Sequence, residues 1–172
     1  MTVRWSLTTA GLAAGAALTA LILSATPASA SSTIKGFGSD TQFTDQSTVT
    51  DLTRCSNEFT GPVTADDGHG GIAARITDVS FGPCLSGTRV TANGLPWSLN
   101  LQQDSDYTIS GFDVNITTAQ GTCRYTGTVR GFMEFPGGVY TLTGLLTRQS
   151  AGCGGSAQVA VGDLTEVINP TG

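Results

Sequence analysis

Apolar and polar residues alternate with a period of two along most of the chain. In "LPWSLNLQ", Leu95, Trp97, Leu99 and Leu101 fall on one side, and Ser98, Asn100 and Gln102 on the other. This is the pattern of a strand with one buried face. Asn93-Gly94 just before it is a tight-turn signal, predicting a hairpin back to "GTRVTA". "YTISGFDVNIT" alternates too, but its apolar face slips at Gly111, from Tyr107 and Ile109 to Phe112, Val114 and Ile116. A glycine at a phase slip predicts a bulge or a bend. "IAARITDVSF" slips in the same way near Asp78. In "CRYTGTVRGFMEF", Cys123, Tyr125, Val129, Met133 and Phe135 share one face, and Arg124, Arg130 and Glu134 the other. No segment after residue 31 sustains a 3.6-residue period with caps, so the expectation is an all-β chain.

An ordered set of matches links two parts of the chain. Cys55 and Cys123 are offset by 68, Thr60-Gly61 and Thr126-Gly127 by 66, and Gly70-Gly71-Ile72 and Gly137-Gly138-Val139 by 67. Cys84 and Cys153, Val90 and Val159, and Leu95 and Leu164 are each offset by 69. A run in one order at nearly constant offset points to an internal duplication, with pseudo-repeats at about 39–101 and 105–170. Eight to ten antiparallel strands follow, as a barrel or a two-sheet sandwich. Closure is favoured slightly, because few charges are present to protect open edges. Ser31 to Gly38 and Asn169 to Gly172 look like frayed ends.

The first thirty residues stand apart from this pattern. Arg4 is followed by an apolar run from Leu7 to Leu23, then Pro27 and the small-residue exit Ala28-Ser29-Ala30. That is the layout of a secretory signal peptide, 1–30, which leaves 31–172 as one all-β domain. The product is expected outside the cell, with no membrane association after cleavage. All four cysteines lie beyond the leader, as two disulfides in an exported protein would require. Three pairings are open to four cysteines; if the halves are copies, each closes its own bridge, Cys55–Cys84 and Cys123–Cys153. No Cys-x-x-Cys pair suggests zinc.

The formal charge of −5 becomes −6 without Arg4, and Lys and Arg are sparse. An acidic chain of this kind has no footprint for nucleic acid. The single histidine, His69, sits in "DDGHGG" with Asp66 and Asp67. The three are candidate metal ligands, although a polar turn explains them as well, and no metal or other cofactor is expected. No Gly-x-Ser-x-Gly elbow occurs. A carboxylate pair drawn from Glu58, Asp104, Asp106 and Glu134 is the one route to hydrolysis of a polysaccharide. Trp97 and Tyr125 are the candidate ligand-binding aromatics, core positions unless a lumen exists. Arg124 and Arg130 offer a face for an acidic partner.

The "GLPWSLNL", "GTCRYTGTVRG" and "LTGLLTRQSAGCGGSAQV" segments, with the leader, resemble a broad group of small exported actinomycete proteins of unknown function. The resemblance covers roughly Ile72 to Val161. It implies an exported β fold and no catalytic residues. The expected function is therefore a non-enzymatic extracellular module, binding an unknown ligand or partner or coating a surface. The alternatives are a protease inhibitor presenting "GPVTADDGHGGI" or "EFPGGV", and a carboxylate-dependent hydrolase.

Overall fold

The computed structural model describes residues 32–69, 71–102, 106–134, 139–151 and 158–168. Ten antiparallel strands form one sheet: β1 (Thr33–Asp45), β2 (Thr50–Asp66), β3 (Ile72–Ile76), β4 (Asp78–Cys84), β5 (Arg89–Ala92), β6 (Trp97–Leu101), β7 (Asp106–Thr118), β8 (Gly121–Glu134), β9 (Val139–Arg148) and β10 (Gln158–Ile168). Apart from a three-residue 3-10 turn at Leu85–Gly87, no helix occurs among the described residues.

The ladder runs β1-β10-β9-β8-β7-β6-β3-β2 and returns to its start, because β1 pairs with β2 as well as with β10. The expected alternatives thus resolve into one sheet that closes on itself. Closure gives both edges of β1 a partner, and each strand sends alternate side chains inward. The alternation in β6 is as its sequence predicts, with Trp97, Leu99 and Leu101 buried and Ser98 and Asn100 exposed. Leu95 falls outside this strand and is 37% exposed.

Both predicted phase slips are real, and they take different forms. At Gly111 the β7–β8 register shifts between Ser110 and Phe112, and Gly111 adopts φ 75°. That left-handed conformation favours glycine. Near Asp78 the slip is a strand break: Thr77 separates β3 from β4 and bonds through its N–H to the Thr60 carbonyl at 2.9 Å. Both pieces run along β2, β4 against Cys55–Thr60 and β3 against Val63–Asp66. Gly61 faces this break, where a Cβ would lie 1.8 Å from the Arg75 carbonyl oxygen. A side chain there would push the two backbones apart.

Two expectations are corrected. The Asn93-Gly94 hairpin does not form, since β5 pairs with β7 and not with β6. The Asn93 N–H bonds to the Asp113 carbonyl at 2.8 Å, tying the connection to β7. As a result β5 and β6 lie end to end along β7, against Val114–Thr117 and Tyr107–Ser110 respectively. The N-terminal stretch is not frayed either. From Thr33 onward it is β1, paired on both sides, with Ile34 only 1% exposed. Burying that isoleucine and filling two ladders outweighs the entropy of ordering the segment. Asn169 to Gly172 lie outside the described residues.

Cys55 and Cys84 face each other across β2 and β4 and form a disulfide. Cys123 is disulfide-bonded as well, and its expected partner Cys153 lies outside the described residues. The first bridge spans a sequence separation of 29. In the chain-entropy model, a loop of that length contributes about 3–4 kcal/mol through the unfolded state. A Cys55→Ala/Cys84→Ala double variant should lose about that much, read as a lower denaturant midpoint at unchanged m-value.

Candidate functional site

Among the described residues, the ring has one place where neighbouring strands are not bonded. Between β2 and β7 the sheet forks. On one branch β3 and β6 join through five pairs, from Ile72↔Leu101 to Ile76↔Trp97. On the other, β4 bonds only to β2 and β5 only to β7, with no ladder between them. The β3–β6 pairing and the Leu85–Gly87 turn bound this seam at its two ends.

A surface groove of about 450 Å³ runs along the seam, lined by 79–84 of β4 and 88–92 around β5. Arg89 is its one charged lining residue. Pro83 sits within β4 and supplies no N–H, as suits a strand whose outer edge is unbonded. Behind the seam is an internal void of about 20 Å³, walled by Phe59, Val79, Phe81, Trp97 and Phe112, among others. Val79 and Phe81 line both spaces, so they form the partition between groove and void. Asn57 is the one polar residue at the void, and its side-chain amide donates to the Thr41 hydroxyl.

The aromatic walls are held by specific contacts. Trp97 lies on Phe112, with ring centroids 4.5 Å apart, and its indole N–H donates to the Asn93 carbonyl at 2.8 Å. Phe81 meets Phe43 edge-on at 6.1 Å. These contacts fix two walls of the void, while β4 carries the half-buried Val79 and Phe81 on a free-edged strand.

The two candidate aromatics are not brought together. Trp97 is a core residue that also walls the void. Tyr125 borders a separate hollow of about 20 Å³ with Leu52, Ile116, Thr118, Gln120, Gly121 and Cys123. Burial raises the Tyr125 phenol above its usual value of 10.0; Arg148 pulls it down, and Asp45 adds to the rise.

The polar candidates serve the loops and outer surface. Asp66 accepts from the Gly68 N–H at 2.8 Å, and Asp67 from those of His69 and Gly71, each at 2.8 Å. Their carboxylates therefore shape the turn. Among the described residues no group of three or more His, Cys, Asp or Glu is placed to hold a metal. Arg124 is engaged by Asp113, at 2.5 Å from Nη2 to Oδ2 and 2.9 Å from Nε to Oδ1. These hydrogen bonds hold the guanidinium above its usual value. Arg130 borders a polar hollow of about 370 Å³ with Gln102, Asp106, Tyr107, Thr108 and Gly131. Glu58 and Asp106 are exposed, whereas Asp104 and the Glu134 side chain lie outside the described residues. Of the two proposed inhibitory loops, the first half of one, Gly61 to Asp66, belongs to β2, and the other is largely outside the described residues.

The seam residues Val79, Phe81, Val90 and Ala92 were not singled out from sequence. Pro83 inside an alternating run was the available signal, since it marks an edge.

A family model described as alkane oxidation protein activator PraA/PraB-like matches residues 5–168. No curated protein and no solved structure matches the chain.

Two outcomes follow from the geometry. Phe81→Ala should cost about 2–3 kcal/mol, less than the ~3–5 kcal/mol of a fully buried phenylalanine, by denaturant titration. Because the folded state holds the Tyr125 proton more tightly, the stability it contributes is complete below pH about 10 and falls as pH rises through the folded value. Tyr125→Phe should abolish that alkaline component of the stability profile.

Proposed function

The chain belongs to the alkane oxidation protein activator PraA/PraB-like family, and from that membership we propose that it is a non-catalytic, exported accessory factor for alkane oxidation. The family match over 5–168 carries this reading. The leader supports export, and the two disulfide-bonded cysteines Cys55 and Cys123 suit an oxidising compartment. The packing of the ring supports a role other than catalysis. The void behind the seam, about 20 Å³, is walled almost wholly by apolar groups. The polar hollow of about 370 Å³ beside Arg130 has one carboxylate, Asp106, among its described lining residues, where hydrolysis by a carboxylate pair needs two. A hydrolytic or oxidative site needs convergent polar or metal-binding groups around a substrate-sized space. Asp66, Asp67, Asp113 and Arg124, which look available in sequence, are committed to turns and an ion pair. The protein acts on hydrocarbon handling outside the cell, and the oxidation itself belongs to a separate enzyme.

Adding the purified exported protein to alkane-oxidising cells that lack it should raise the rate of alkane consumption. The protein alone should consume none. Alkane turnover by the isolated protein, or no stimulation of the cells at any concentration, would remove this reading.

A further inference from the structure

The geometry points to the β4–β5 seam as a binding site for a single linear alkyl chain, whose terminal methyl enters the void behind Val79 and Phe81. This rests on the accessory reading above for the class of ligand, and on the seam itself for the place and shape.

The groove of about 450 Å³ falls within the range of small-molecule sites, roughly 300–1,000 Å³. Its lining is mixed, with Ser80, Thr88, Arg89 and Thr91 polar and Val79, Phe81, Val90 and Ala92 the apolar residues along which an alkyl chain would lie. It ends on Val79 and Phe81, whose other sides face the void of about 20 Å³. An apolar void of that size holds about one water-sized group and gains nothing from water, which finds too few polar partners there. Its walls forgo dispersion contacts that a methyl group would restore. Val79 and Phe81 are half-buried on a strand with no ladder to β5. The partition therefore opens by displacing their side chains, Phe81 giving up its edge contact with Phe43, while the β2–β4 ladder stays in place. Opening the seam breaks no inter-strand hydrogen bond there. The opposite walls, Trp97 on Phe112, are fixed, so the void accepts one narrow group and discriminates against a branched end.

The test titrates the exported protein with n-octane and with isooctane, its branched isomer. The readout is emission of Trp97, the one tryptophan outside the leader, since the other is Trp5. We expect a saturable change with n-octane and a response to isooctane weaker by about tenfold or more, the scale on which an apolar pocket separates shapes. Val79→Asp and Ala92→Phe should each weaken n-octane binding by a similar factor, while Phe37→Ser on the exposed outer face should leave it unchanged. Ala92→Phe, on the opposite wall, carries the test if Val79→Asp fails to fold. Equal responses to the two isomers, or n-octane binding indifferent to both seam variants, would overturn the proposal. Stimulation of alkane-oxidising cells, run in parallel, separates the two readings. Stimulation without isomer discrimination overturns the seam alone; discrimination without stimulation supports the seam and overturns the accessory role.

Discussion

Closure of the ladder is the constraint on which everything else in this protein depends. A sheet of ten strands with few charged side chains would expose long rows of unsatisfied backbone groups if left open. Pairing β1 with both β2 and β10 removes that exposure and creates an inside. Once an inside exists, alternation divides each strand between core and surface. A slip of one residue would turn that division inside out. Each interruption is therefore local, as at the Gly111 bulge and the Thr77 break, and further register shifts occur in β1 and β2.

The same constraint explains why the seam lies where it does. β2 and β7 are long strands whose inner neighbours are each split in two, so the ring is carried between them by β3 and β6 alone. The other pieces, β4 and β5, are anchored outward to β2 and β7 but not to each other. The Cys55–Cys84 bridge reinforces one of those anchors, fixing the end of β4 to β2. Thus β4 is tethered along one edge by its ladder and the disulfide and is unbonded along the other.

Three of the polar candidates have structural partners. Asp66, Asp67 and Arg124 are short-range structural elements, satisfied by backbone N–H groups or by an opposite charge. Their residue types resemble those of a metal or anion site, but here the Asp66 and Asp67 carboxylates accept backbone N–H groups of their own turn and Arg124 meets Asp113. Tyr125 and Trp97 share an inward direction without sharing a cavity, since they border different hollows.

The sequence by itself determined the all-β character, the inward faces of β6, of β7 and of β8 from Cys123 to Val129, and the two phase slips, because a period of two and the placement of glycine are local properties of the chain. It left three cysteine pairings open, among which the fold decided for Cys55–Cys84 by setting those residues opposite each other. It did not determine which strand β5 would join, or that β4 and β5 would face each other unbonded. Those outcomes depend on contacts between residues far apart, such as Asn93 with Asp113, and on whether the ladder closes. Val79, Phe81, Val90 and Ala92 look like ordinary strand residues when read in order. Only the closed ring places them around a common opening, because only there do the free edges of two split strands meet.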